Sequence, residues 1–197
     1  IGGRYFEHFL YLFDSNKKNT IKRKIACITD LDPSRKENNK ENAKLKKCYP
    51  FEMHAEPEKY DYELNSIMEK YEKGKHPNIR SFTQDKVFGK TLEYQLAFEN
   101  PKCKLLLTPS LQNRDELNDL IIMINEKKEL NSMLERLRNS DENIRIKDSI
   151  LNLSVELWTD EIKKKAIIAS RYLNSVGKGE NALELSSILC DNLCEKG

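Results

Sequence analysis

The stretch that most constrains the fold is Lys24-Ile25-Ala26-Cys27-Ile28-Thr29-Asp30-Leu31-Asp32-Pro33. An apolar, β-branched run leads straight into two carboxylates spaced i, i+2 and stops at proline. A continuous run of this kind, closed by Asp and Pro, predicts a strand buried on both faces, as parallel sheets require. Ligands of open α/β sheets sit at the carboxyl ends of strands, which is where Asp30 and Asp32 fall. Two carboxylates so close together repel unless a cation neutralises them or one keeps its proton. Oxygen donors of this kind suit a hard divalent ion, Mg2+ or Mn2+. The same pair also suits a polar strand-to-loop turn, where Asp is a common residue.

A chain of 197 residues can bury a core as one domain, or as one domain carrying an insertion. Its 34% charged and 38% apolar residues describe a well-solvated globular protein rather than a disordered one. The formal net charge is only +2, so the whole-chain balance does not announce a polyanionic partner. Positive charge is nevertheless clustered at Lys17-Lys18, Lys22-Arg23-Lys24, Lys44-Lys46-Lys47 and Lys163-Lys164-Lys165. Such runs are ordinarily solvated faces, and only proximity to a site makes them a phosphate footprint.

The five cysteines are odd in number and contain no CxxC pair, and no His pair accompanies Cys190 and Cys194 at zinc spacing. They are expected to be reduced cytosolic thiols. His8, His54 and His76 are scattered and read as surface or packing residues. No apolar run approaches the roughly 20 residues of a membrane span, and no signal peptide is visible, so a cytoplasmic protein with no membrane partner is expected. A chain opening on Ile1-Gly2-Gly3 without Met is expected to be cut from a longer polypeptide.

Taken in order, Phe6, Phe9, Leu10 and Phe13 fall on one stripe of a helix ending near Asp14. Helix then buried strand is the second half of a βαβ unit, whose first strand would end near Ile1. Residues 34–47 are almost entirely Lys, Glu, Asn and Arg and predict a mobile or marginally helical loop. Tyr60 to Lys73 predicts a short amphipathic helix stopped by Gly74. Asn78 to Thr83 alternates apolar and polar residues and predicts a half-exposed or edge strand. Thr91-Leu92-Glu93 opens a helix through about Glu99, with Thr91 suited to its N-cap and Glu93 to its first turn. Lys104 to Thr108 predicts one more short strand. Two apolar stripes out of phase over 111–138 predict a bend or two helices, suited to core or oligomer contacts. Residues 140–158 have mixed periodicity. A helix over Thr159–Leu173 and a last one from Glu180 to about Leu193 flank Gly177-Lys178-Gly179. The expected fold class is therefore α/β: a parallel-sheet core with helices on both faces and a helical C-terminal part.

Gly177-Lys178-Gly179-Glu180 places a lysine between glycines at the start of a helix, where backbone can approach a phosphate. It is not a Walker A loop, and a solvated lysine in a common turn fits equally. Taken together, the strand ending in Asp-Leu-Asp, the Thr-Leu-Glu helix start, the late Gly-Lys-Gly-Glu-Asn-Ala turn, and Ile1-Gly2-Gly3 before an aromatic helix resemble the Toprim domain of OLD-family nucleases. These are ATP-dependent endonucleases that include nuclease subunits of some anti-phage defence systems. The resemblance runs over nearly the whole chain, with 34–78 and 140–158 unmatched.

That resemblance implies a Toprim-like core over 1–110 with a charged insertion at 34–78. A helical insertion would follow at 111–158, and C-terminal helices completing the nuclease domain at 159–197. It implies Asp30, Asp32 and Glu93 as ligands of Mg2+ or Mn2+, with Thr91 at the family's Ser/Thr-x-Glu position. Lys178 matches the late lysine that stabilises transition-state charge, as phosphodiester hydrolysis requires. Further implied are DNA as substrate, a homo-oligomer, and ATP bound by an ATPase domain upstream in the same polypeptide or on a partner subunit. The family's first acidic position would lie before Ile1, so residues 1–197 alone are expected to be a poor nuclease. Two other readings fit parts of the sequence. One is a haloacid-dehalogenase-like phosphohydrolase using Asp30 as nucleophile and Asp32 as acid/base, although Pro33-Ser34 departs from that family's continuation. The other is a non-catalytic helical interaction module built on 111–137.

Overall fold

The computed structural model describes residues 6–38, 40–177 and 179–194. In chain order the first elements are α1 (Phe6–Leu10), β1 (Ile25–Ile28), β2 (Ser34–Glu37), β3 (Lys46–Lys47), α2 (Glu52–Ala55), β4 (Tyr60–Glu63), α3 (Ser66–Lys70) and β5 (Ile79–Phe82). They are followed by α4 (Leu92–Glu99), a 3-10 turn over Lys104–Leu106, α5 (Arg114–Asn125), α6 (Leu130–Arg136), α7 (Asp141–Leu151), α8 (Asp160–Leu173) and α9 (Glu180–Cys194). This mixed α/β chain divides into two units, Ile1–Pro50 with Glu58–Thr91, and Phe51–Pro57 with Leu92–Gly197.

In the first unit β1 and β5 form a parallel pair in register from Ile25 opposite Ile79 to Ile28 opposite Phe82. Cys27 and Ile79 turn inward onto Leu10 and Tyr71, with Ile25 and Ile67 packed against them. The other face is open: Ile28 is 81% exposed and Phe82 42%. The expectation that β1 is buried on both faces is thus corrected. A strand with one neighbour among the described residues covers only the side on which its alternate residues meet a core. The outer edge of β5 is closed locally, since the Ser81 N–H donates to Tyr71 O at 2.8 Å and the Ser81 hydroxyl to Met68 O at 3.1 Å.

Asn78, just before β5, fixes the approach to β1. Its amide donates to Phe13 O and Arg23 O, both at 2.6 Å, and its Oδ1 accepts from the Ser15 N–H. His76 packs beside it, 2.9 Å from Asp14 Oδ1. His76 is therefore an organising residue, in keeping with the packing role expected for it. Burial alone would raise the Asp14 pKa. The hydrogen bonds from His76 and the Asn16 N–H, with the charges of His76 and Lys17, outweigh it and hold the carboxyl below its usual 3.8.

The charged insertion is ordered, against the expectation of a mobile or helical loop. β3, β2 and β4 form an antiparallel sheet in which Arg35 faces Lys46 on one side and Tyr62 on the other, and Lys36 faces Asp61. Lys36 opposite Asp61 and the Arg35 guanidinium over the Tyr60 ring are favourable pairs in this ladder, whereas Arg35 opposite Lys46 is a like-charge pair. Tyr60 therefore opens a strand rather than the expected helix, because Tyr60 and Tyr62 alternate with acids at period two. The helix begins later, at α3, where Asn65 caps it by accepting the Ile67 N–H at 3.1 Å. Gly74, at φ +88°, sits beyond it as expected.

The second unit is built around α8, whose residues 166–172 are all buried. Thr159 caps it, Asp160 and Glu161 lie in its first turn and Arg171 in its last, each matched to the macrodipole. α4, α5, α6 and α7 all pack against it. The out-of-phase stripes of 111–138 become two helices, α5 and α6, separated where Lys127 takes φ +57°. Asp141–Leu151 forms α7, capped by Ser140. Lys104–Thr108 is not the expected strand. Leu106, Leu107 and Thr108 are buried consecutively, which suits a tight turn closed by Leu107 N–H to Lys104 O at 3.0 Å.

This helical core encloses a charge network. The buried Glu116 carboxylate accepts from Arg171 at 3.1 Å, Asn143 at 3.2 Å and the Arg138 N–H at 3.1 Å. Arg145 forks onto the buried Glu52 at 2.7 and 2.6 Å. Glu116→Leu is expected to destabilise the chain by about 3–5 kcal/mol in urea unfolding, because Arg171 is left as an uncompensated buried cation. Glu116→Leu combined with Arg171→Met is expected to recover most of that loss. A double variant as unstable as the single one would refute this account. Because its folded pKa is depressed, Asp14 contributes stability that is present above its unfolded value and lost as pH falls through the folded one. From about pH 6 down to about pH 3, Asp14→Asn should lose less stability than the parent chain in urea titrations.

Candidate functional site

The parallel ladder does not stop where β1 stops. The Ile25 N–H donates to Asn78 O at 2.8 Å and the Thr29 N–H to Phe82 O at 3.1 Å. At Leu31 the acceptor becomes a side chain, Gln84 Oε1 at 2.8 Å, and the same amide donates from Nε2 to Asp30 Oδ1 at 2.9 Å. Gln84 lies two residues beyond β5 as Asp30 lies two beyond β1, so the strand register itself brings them together. Asn65 closes the other side, donating to Asp30 O at 3.0 Å and Thr29 Oγ1 at 3.3 Å. The Asn65 N–H donates to Leu31 O at 3.3 Å. Asp30 is thus held through both its carboxylate and its backbone.

Asp32 sits at φ +45°, a left-handed conformation that Asp tolerates better than most residues. Its N–H donates to Lys90 O at 2.9 Å, and its carboxylate pairs with the exposed Lys47 ammonium. Lys90 is buried and donates from Nζ to Cys48 O at 2.7 Å. The loop before it is pinned by Asp85, whose Oδ1 accepts the N–H groups of Val87 and Phe88, both at 2.8 Å. At position 89 only glycine fits, since a Cβ would lie 2.3 Å from Asp85 O.

Asp30 and Asp32 are oxygen donors, the ligand type that hard cations take. Mg2+ is usually held by one or two carboxylates, with waters and substrate phosphates completing its octahedron, and Asp30 and Asp32 offer that complement. Among the described residues no group of three or more His, Cys, Asp or Glu could hold a metal ion, so the described residues present no all-protein cage. Lys47, on Asp32, is the cation a metal would have to displace.

The other residues singled out from the sequence are distributed as follows. Thr91 is the last residue of the first unit, and Glu93 belongs to the second. There Glu93 lies exposed in the first turn of α4. It lines a cleft of about 340 Å3 with Leu96, Tyr172, Ala182 and Leu185. Burial, and then the Glu93 charge, raise the Tyr172 pKa. Lys178 lies outside the described residues. Near it, Asn181 donates to Thr108 Oγ1 at 2.8 Å and Ser110 Oγ at 2.9 Å. Glu184 accepts from the Ser110 hydroxyl and N–H, which hold its carboxyl below the usual range.

Sequence reasoning missed Gln84, Asn65, Lys90 and Lys47. The signal for Gln84 was its offset from β5, legible only once β1 and β5 are known to pair in parallel. Cys27, Cys103 and Cys190 are free thiols. Among the described residues no helix is long and apolar enough to cross a membrane.

These contacts rank the local substitutions. Gln84→Ala strands the Leu31 N–H and is expected to cost about 1–3 kcal/mol. Lys47→Ala breaks an exposed pair and should cost no more than about 1 kcal/mol. Urea unfolding of the two variants checks the ranking, and an equal or reversed order would contradict it. Compared with known proteins, the chain matches no family model, no curated protein and no solved structure.

Proposed function

We propose that the chain is the metal-dependent nuclease part of an OLD-type ATP-dependent endonuclease, with a Toprim-like core, hydrolysing DNA phosphodiester bonds. The observation that carries this reading is a pair of carboxylates at the carboxyl end of a strand in a parallel pair, the position where α/β sheets hold ligands. A tether from Gln84 onto Asp30 supports it further, because metal-ligating carboxylates are commonly oriented by a second ring of hydrogen bonds.

Asp30 and Asp32 are the residues that would hold Mg2+ or Mn2+. When bound, such an ion supplies charge neutralisation and an activated water for phosphodiester hydrolysis. Gln84 fixes the rotation of the Asp30 carboxylate, and Asn65 fixes the backbone that carries it. Lys47 compensates Asp32 until a divalent cation takes its place. Glu93 as a further ligand, Thr91 beside it and Lys178 as the charge-stabilising lysine are assigned by the family resemblance. So are an upstream ATPase domain or partner subunit, a homo-oligomeric assembly and a role in anti-phage defence. In this reading, divalent-metal binding by Asp30 and Asp32 precedes any cleavage.

Metal binding is therefore the primary readout. Titration of Mn2+ followed by electron paramagnetic resonance should show binding to the 197-residue chain that Asp30→Asn and Asp32→Asn each abolish. Gln84→Ala is expected to weaken it about 10-fold, the range typical of outer hydrogen-bond partners. Mg2+-dependent nicking of supercoiled plasmid is expected to be lost in Asp30→Asn while circular dichroism stays unchanged. Mn2+ binding or nicking indifferent to both aspartates would overturn the proposal.

A further inference from the structure

The antiparallel sheet of the charged insertion carries a chemistry that neither the fold nor the metal reading uses. Its register puts Arg35, Lys46 and Tyr62 in one row and Glu37 and Tyr60 in the next, all on one face. This face borders a groove of about 320 Å3, lined by Arg35, Lys40, Lys44, Lys46 and Tyr60. Glu37 is the one acid among the lining residues, and it is tied to Lys40 at 3.2 Å. Four cations against one anion make this face far more positive than the whole-chain balance of +2 suggests. The Arg35 guanidinium stacks 4.3 Å from the Tyr60 ring centroid, and the Tyr60 and Tyr62 rings lie 6.3 Å apart.

We propose that this face binds single-stranded nucleic acid, its lysines meeting the phosphates and the Arg35–Tyr60–Tyr62 array stacking the bases. A cationic groove interleaved with aromatic rings and a guanidinium plane is the surface single strands use, because every base offers a π-face. A duplex keeps those faces inside its own stack, and an acidic peptide would satisfy the lysines but leave the rings unused. The sheet adjoins the candidate site along the chain: β2 begins two residues after Asp32, and Lys47 of β3 pairs with Asp32 from the face opposite the groove. The inference rests on the nuclease reading for its choice of nucleic acid over other polyanions.

The test is fluorescence anisotropy with a labelled oligothymidylate of about 12 nucleotides, within the span such surfaces cover. A duplex of equal length and heparin serve as rival ligands, and EDTA suppresses cleavage. The 197-residue chain should bind the single strand more tightly than the duplex, with an affinity falling linearly with salt on logarithmic axes. The exposed pair Lys44→Glu with Lys46→Glu should weaken binding at least about 10-fold and flatten the salt slope. Tyr60→Leu should weaken it about 5- to 100-fold with the slope unchanged. Charge reversal of Lys163 and Lys165 should change it by no more than about twofold. Circular dichroism verifies that each variant is folded, and the solvent-facing lysine pair tests the idea even where Tyr60→Leu does not fold. No binding at low salt, binding indifferent to the sheet variants, or duplex and heparin bound as well as the single strand would each overturn the proposal. The outcomes are separable from the metal reading. Lost oligonucleotide binding with intact, aspartate-dependent Mn2+ binding sinks only this inference, and Mn2+ binding indifferent to both aspartates with intact oligonucleotide binding sinks only the metal reading.

Discussion

The local architecture of the candidate site depends on a backbone ladder prolonged by a side chain. A parallel pair exhausts its main-chain acceptors where one strand turns away, and the next amide would be left unpaired. Gln84 supplies that acceptor to Leu31 and with its other end grips Asp30. One amide group therefore satisfies the strand end and orients a carboxylate. The loop carrying Lys90, held by Asp85 and Gly89, meets the next turn at the Asp32 N–H. The two acidic side chains at this strand end are each met by a donor, Asp30 by Gln84 and Asp32 by Lys47.

The two units manage charge by different physics. In the antiparallel sheet of the first, cations and acids remain near solvent, where each contact is weak and the backbone bonds hold the sheet. In the second, Glu116, Arg171 and Glu52 are enclosed among helices. Burying them is tolerable only because each carboxylate is met by several donors. Among the described residues the Arg171 Nε has no hydrogen-bond partner, so this pairing specifies how α5, α7 and α8 meet more than it adds stability.

Legibility followed the strength of the local signal. Ile25–Ile28 was legible as a continuous apolar run, and the α8 start from an apolar period that agrees with the Thr159 cap on the Ile162 N–H. The second strip of sheet was not. Residues 34–47 contain almost nothing apolar, and the strand character of Arg35 emerges only from what lies opposite it, Lys46 and Tyr62. Tyr60 and Leu64 fit a helical spacing as well as a strand one, and the partner strand decided between them. Leu105 to Leu107 failed for the opposite reason, since a short apolar run does not distinguish strand from turn.

The sequence by itself determined where the paired carboxylates lie along the chain. Asp30 and Asp32 at the end of an apolar strand follow from composition and spacing, as does the helical second half. Only the tertiary structure decided what holds those carboxylates and which surface surrounds them. Gln84 and Asn65 reach Asp30 across more than 30 positions of sequence, and the basic–aromatic face exists only when three polar strands align. Such contacts depend on long-range register, and register is fixed by pairing between distant segments rather than by the residues of either one alone.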